Sequence, residues 1–347
     1  MGIRGLVTAA VVAVAGGASQ AAVPPGHQKP SAVHCDRVAA PSGTKRGSGT
    51  WDDPVRGPFR LVKLLREGET GCLRGGSYHQ REATVTREGV TLRSAPGERA
   101  TWHGRVVLRG RGDSLLDLDL DGSTGPACAS GGCGALPSPT VNAADVTIAR
   151  NDITSPGAGI CVHPRSWGSQ RPDDFLIANN RIHDCGRKPP TEHDHGIYVA
   201  DGYNGVIRGN AIFDNADRGI QLYPDAKYTT VVGNTVDANG SGIVFSERSA
   251  GNRVYDNVFT NAVVRWNAES YRLSGYGNRF ERNCLRAGND DPQYDENGGV
   301  ALSWRVTQRD NVVASDPVYA NRGLDDLRVA PRSACAGKGA PDWVARP

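Results

Sequence analysis

The side chains best suited to chemistry sit in four short, similar phrases: AGICVHP (158–164), HGIYVAD (195–201), RGIQLYP (218–224) and SGIVFSE (241–247). Read as strands, their side chains alternate, so Ile160, Ile197, Ile220 and Ile243 point inward with Val162, Val199, Leu222 and Phe245. Three outward columns remain: Ala158/His195/Arg218/Ser241, Cys161/Tyr198/Gln221/Val244 and His163/Ala200/Tyr223/Ser246. Stacked strands lie about 5 Å apart, which would bring His195, Tyr198, Arg218, Gln221 and Tyr223 onto one patch with His163 one rung below. An Arg fork can neutralise a substrate carboxylate. A neutral imidazole can remove the proton next to it, and a phenol can protonate a leaving oxygen. On this reading Arg218 binds the carboxylate, His195 is the base and Tyr198 or Tyr223 the acid, with His193 or His163 as substitutes. The chemistry would be β-elimination on a uronic-acid sugar.

An insertion before the second phrase, RKPPTEHD (187–194), brings Lys188, Glu192, His193 and Asp194 to the same place and reads as a groove wall. Lys188, His193, Asp194, Gln221, Lys227, Glu247 and His163 are the expected substrate contacts. Other readings remain open. Asp194, Asp201, Asp217, Asp225 and Glu247 could supply the paired carboxylates of a glycoside hydrolase, although Asp194 and Asp217 sit where Asp caps turn amides. The patch could also bind carbohydrate without turning it over, or epimerise C5. Arg218 could simply pair with Asp217 or Asp194, and stacked Tyr and Gln could be cross-strand packing.

These phrases need a scaffold that stacks them, and the repeats supply it. An Asn recurs at 151, 180, 210, 234, 257 and 283, inside VTIARNDI, FLIANNRI, GVIRGNAI, TTVVGNTV, NRVYDNVF and NRFERNCL. A unit of about 23 residues with two or three short strands cannot bury its apolar face alone, and stacking coils solves that. The Asn residues would bond one above another in a ladder. The expected fold is all-β, a single-stranded right-handed parallel β-helix with an N-terminal cap helix and disulfides.

The ends carry a resemblance. GSGTWDDPVRGPFRLVKLLREGETGCLRGGSYHQ (47–80) is similar to the cap of β-helix polysaccharide-active proteins, with Gly68-Glu69-Thr70-Gly71-Cys72-Leu73-Arg74-Gly75-Gly76-Ser77-Tyr78 matching its first strand. VTLRSAPGERATWHG resembles the following coil, and SDPVYANRGLDDLRVAPRSACAGKG the closing one. The similarity runs over about residues 45–340 and is to the pectate-lyase-like superfamily, including its alginate- and chondroitin-lyase branch. It implies the β-helix and an acidic polysaccharide as substrate. The calcium-dependent branch's Asn-plus-Glu shelf is not found at matching positions.

Composition sets the remaining bounds. Lys+Arg 40 against Asp+Glu 37 gives +3 with no dense basic stripe, so nucleic acid is not an expected partner. Gly 44 and Pro 21 favour turns over long helices. Arg4, the apolar run 6–15 and the small residues around Ala21 and Ala22 read as an export leader over 1–22. An extension over 23–44 and the β-helix domain over 45–340 would follow. No other segment is long and apolar enough for a membrane helix. A secreted monomer is expected. Eight cysteines favour disulfides in sequential order, Cys35–Cys72 and Cys128–Cys133 among them. No C-x₂-C pair supports a thiolate metal site. No cofactor is expected, with calcium at Asp117, Asp119 and Asp121, or at Asp290-Asp291 and Asp295-Glu296, as the minor option.

Overall fold

Segments such as Val206–Arg208 and Ala211–Phe213 are too short to stand alone, and each finds its partner one coil away. One coil lays Val206–Arg208, Ala211–Phe213 and Arg218–Lys227 into three different sheets; the next adds Thr230–Val232, Thr235–Asp237 and Ser241–Ser246 in parallel register. The structure is a computed structural model, and it describes residues 33–129, 134–286, 297–315 and 318–346. The expected leader lies outside these residues, as do Cys133 and the loop residues Asp290, Asp291, Asp295 and Glu296.

Two parallel sheets of 12 strands and one of five make up the right-handed β-helix. Its first sheet already includes Arg37–Ala40, ahead of the expected start at residue 45. Ile148, Ile177, Ile207, Val231, Val254 and Phe280 form one inner row, each fully buried. Ile197, Ile220 and Ile243, with Val199, Leu222 and Phe245, fill the interior from the five-stranded sheet, as the alternation predicts. The helix Gly57–Leu64 closes the N-terminal end, its Leu61 and Val62 packed on the first coil.

The Asn ladder forms as expected. Asn151 Nδ2 donates to Asn180 Oδ1 at 3.0 Å, and the same bond repeats through Asn210, Asn234, Asn257 and Asn283 to Asn311. The residue before each Asn is left-handed, and Gly209 (φ 62°) and Gly233 (φ 60°) take that conformation without strain. A second ladder joins Asn215 to Asn239, and a third joins Asn252 to Asn278.

Disulfides Cys35–Cys72, Cys161–Cys185 and Cys284–Cys335 follow the sequential order; the pairing expected for Cys128 with Cys133 falls outside the described residues. Three such bonds fit an oxidising compartment. No helix among the described residues is long and apolar enough to cross a membrane.

On the outer wall, His183 lies between Asp152 (2.9 Å) and Asp184 (2.8 Å) and stacks on Phe213. Burial opposes its charge, but the two carboxylates outweigh it and lift its pKa to about 9. A histidine raised in the folded state adds stability that is full below its unfolded value near 6.5 and is lost as pH rises through 9. The thermal midpoint should therefore fall across that window in the native chain, and this component should vanish in His183→Gln. An identical pH slope in both proteins would remove the assignment.

Candidate functional site

The candidate residues lie on the five-stranded sheet and the short strand His163–Pro164 beside it. His195 and Arg218 do stand on adjacent rungs, because Gly196 N–H donates to Arg218 O and Arg218 N–H to His195 Nδ1 at 3.4 Å. Both are buried, His195 to 2% exposure and Arg218 to 5%.

The insertion explains this burial. Instead of standing off as a wall, it folds down as a cover. Arg187 binds Asp194 at 2.7 Å, and Asp217 accepts the N–H groups of Glu192 and Asp194. Arg218 turns its guanidinium to Glu192 O at 3.0 Å, and Arg265 bridges Glu192 and Glu269 from above. Arg218 consequently lines a small pocket of about 120 Å³ with Pro190, Glu192, Val264 and Arg265. Burial, then the Arg218 charge, holds the His195 pKa well below its ordinary value. Lys188 and His193 are exposed on the insertion, and Gln221, Val244, Ser241 and Ser246 are buried rather than facing solvent.

One register expectation is corrected. Val162, not Ile160, pairs with Ile197, so His163 stands beside Tyr198 and not in the column of Ala200 and Tyr223. Cys161, expected outside, is fully buried in its disulfide with Cys185. The shift has a consequence for chemistry. The His163 ring stacks on Tyr198 at 4.6 Å, and Tyr198 in turn faces Tyr223 at 6.3 Å. His195 meets Tyr198 edge-on from behind at 5.4 Å.

In front of this stack opens a cleft of about 370 Å³ walled by His163, Arg165, Tyr198, Asp201, Asp225 and Arg248, among others. Asp201 and Asp225 are register neighbours on adjacent rungs. Asp201 accepts Ser166 N–H at 2.7 Å, while Asp225 holds Lys227 at 3.0 Å and Arg248 at 3.5 Å. Glu247 pairs with Arg272 at 3.4 Å. Among the described residues no carboxylate pairs with Arg165. Arg165 and Arg248 were missed by the sequence reading; both follow strand ends, and only the corrected register would have aligned them with the candidate face.

His163 Nδ1 lies 2.8 Å from Tyr198 O. A carbonyl only accepts, so Nδ1 carries the proton and Nε2 keeps its lone pair. Burial brings the imidazole pKa down to about 4 against that hydrogen bond, with Arg165 and Arg105 adding to the fall. Burial, then Tyr223, lifts the Tyr198 phenol to about 12. The cleft thus holds a neutral imidazole, a protonated phenol and a cation free of any carboxylate.

The crystal structure of pectate lyase Pel9A superposes with a TM-score of 0.60 at 13% identity, covering 89% of this chain and 92% of that one. It has the pectate-lyase-like β-helix fold. The Agl-KA catalytic domain matches this β-helix with a TM-score of 0.50 at 14% identity, over 71% of this chain and 48% of that one. An alginate lyase from Paenibacillus sp. str. FPU-7 matches at 0.45 and 18%, over 74% and 95%. No curated protein matches the β-helix in sequence.

A family model described as periplasmic copper-binding protein (NosD) matches residues 140–284 of the β-helix. The residues there do not fit a copper centre. Cys161, Cys185 and Cys284 are in disulfides, His183 is held by two carboxylates, and His163 Nδ1 is held by a carbonyl. Among the described residues no group of three or more His, Cys, Asp or Glu side chains could hold a metal ion. Asp117, Asp119 and Asp121, the calcium option, pair instead with Arg93 and Arg150, with Arg99, and with His103.

Proposed function

We propose that this β-helix is an exported polysaccharide lyase that cleaves a uronic-acid chain by β-elimination in the cleft beside His163 and Tyr198. The observation that carries the reading is the joint presence there of a neutral imidazole, a protonated phenol and Arg165. Arg165, with Arg248 opposite, neutralises the uronate carboxylate and makes the C5 proton removable. His163 Nε2 takes that proton. The released electron pair forms the C4–C5 double bond, the C4–O bond breaks, and the Tyr198 hydroxyl gives its proton to the leaving oxygen. His195 and Arg218 form the floor that fixes the Tyr198 ring and the insertion above it. Lys188, His193, Lys227 and Glu247 are left for sugars beyond the cleaved bond.

The test is ultraviolet absorbance of the unsaturated product when the purified protein meets pectate, alginate, glucuronan and glycosaminoglycans. Its pH profile is distinctive. The base works as neutral imidazole, and His163 stays neutral down to about pH 4 in the free protein, so the acid limb of kcat/KM should lie near pH 4 rather than near 6.5. The Tyr198 proton is retained throughout the neutral range. Activity that halves near pH 6.5 would point to a different base.

A second reading has its own support. Asp201 and Asp225 are register neighbours in the cleft, on strands about 4.8 Å apart, which suits the roughly 5 Å carboxylate separation of a retaining hydrolase. New reducing ends without ultraviolet absorbance would select it.

A further inference from the structure

At the N-terminal end, a groove of about 590 Å³ lies between Pro41 and Lys45, the first turn of the helix Gly57–Leu64 and the strand Gly76–Val85. Its walls carry Lys45, Arg56 and Arg60 and no Asp or Glu. Among the described residues none of these three cations has an ion-pair or hydrogen-bond partner for its side chain. What sets the groove apart is the lining itself, three cations and no carboxylate, whereas Arg74, Arg93, Arg99 and Arg105 nearby each meet a carboxylate, Glu98, Asp117, Asp119 and Glu82. The cleft beside Tyr198, by contrast, carries two carboxylates in its lining, Asp201 and Asp225, the second paired with Arg248.

Two further features favour an anion. No side chain caps the helix N-terminus that lines the groove, so its positive dipole end faces the same space. Phe59 in that first turn is 44% exposed with the Lys63 ammonium 4.2 Å from its ring centre, so an apolar surface sits among the charges. A sugar offers both complements at once, a C–H face for the ring and a carboxylate for the cations. The volume suits a few sugar units. Three cations are few for a duplex, whose binders usually neutralise many phosphates.

We infer that this groove is a second, non-catalytic binding site for a carboxylated glycan strand. The choice of ligand class rests on the lyase reading; the presence of an anion site does not. His163 is in register with Thr84, three pairing steps or about 14 Å away, and the groove residues Ser77–Gln80 lie four to seven residues further along that strand at about 3.3 Å each, so only a polymer of several sugars can engage both places and gain affinity from the linkage.

The test is calorimetric titration in a Tyr198→Phe background, where cleavage is suppressed. The probes are oligomers of galacturonate, mannuronate and glucuronate, methyl-esterified oligogalacturonate, single-stranded DNA and phosphatidylglycerol vesicles. The parent should show two binding steps, and the triple variant Lys45→Gln/Arg56→Gln/Arg60→Gln should keep the cleft's step and weaken the other about 10- to 100-fold. The methyl ester should bind weakly to both proteins, and Phe59→Ala should weaken the oligouronate alone. All four side chains are exposed; if the triple variant melts early, the single variants Lys45→Gln and Arg60→Gln replace it, each expected to lose a few-fold. Equal affinity of parent and variants for every oligouronate would overturn the inference. So would DNA or vesicles binding more tightly than any oligouronate with the same dependence on the three cations. Charge-dependent oligouronate binding by a protein that never yields an unsaturated product would sink the lyase reading and leave this site standing. Cleavage with binding indifferent to the variants would do the reverse.

Discussion

Tyr198→Phe should lower kcat on the best polyuronate by about 10²- to 10⁴-fold, the range for losing a general acid, with KM little changed. The argument is geometric. The substituted ring still stacks between His163 and Tyr223, so the cleft keeps its shape. Only the hydroxyl proton is lost, and the leaving C4 oxygen then departs as an unprotonated anion. His163→Gln should fall as far, and Arg165→Ala should lower kcat as well as raise KM, because negative charge on the carboxylate it meets grows as the C5 proton leaves. His195→Gln is the discriminating control. His195 does not line the cleft that His163 and Tyr198 wall, so its loss should appear first in the thermal midpoint and leave the pH dependence of kcat unmoved. Should His195→Gln abolish turnover at an unchanged midpoint while His163→Gln remains active, the chemistry belongs behind the Tyr198 ring and the cleft assignment fails. The measurement is initial-rate ultraviolet assay on each variant, with melting curves alongside.

How the site was and was not legible follows from the same residues. The β-helix could be read because the Asn residues from 151 to 283 must face the same neighbours in every coil, so they recur at a near-constant period. The stacking of His195 with Arg218 was legible for the same reason: nothing interrupts the 23-residue step from one to the other. Before His195 the period breaks. The insertion 187–194 sits there, and the Cys161–Cys185 bond draws Cys161 inward, so alternation alone set His163 two residues out of register. Whether a polar face is open was not legible either. Alternation tells which side chains leave the core, but not that Glu192 and Arg265 close over Arg218. Arg165 and Arg248 lie beyond strand ends, where no repeat marks position. Their significance emerges only when the carboxylates near them are located, since in a chain with many arginines most find one.

Asn234→Ala should cost about 3–6 kcal/mol of unfolding free energy, a large share of the roughly 5–15 kcal/mol that holds a typical protein folded. Asn234 is fully buried in mid-ladder. Its Oδ1 accepts from both Asn210 N and Asn210 Nδ2 at 2.9 Å, and its Nδ2 donates to Ile207 O at 2.9 Å and Asn257 Oδ1 at 2.9 Å. Truncation leaves those partners facing a cavity, each buried polar group costing about 1–3 kcal/mol when unpaired. Asn311→Ala is the internal comparison. Asn311 ends the ladder, half-buried, accepting from Asn283 and donating to Phe280 O at 2.9 Å. Water can reach the groups it abandons, so the expected loss is about 1 kcal/mol. Urea melts of the two variants decide the matter through their midpoints. A solenoid's coils contact only their neighbours, so the mid-ladder defect should also broaden the transition by uncoupling the coils on either side, whereas the terminal one should not. Equal losses at 234 and 311 would mean that the Asn column contributes coil by coil through its backbone contacts, with no added strength from the continuous amide chain.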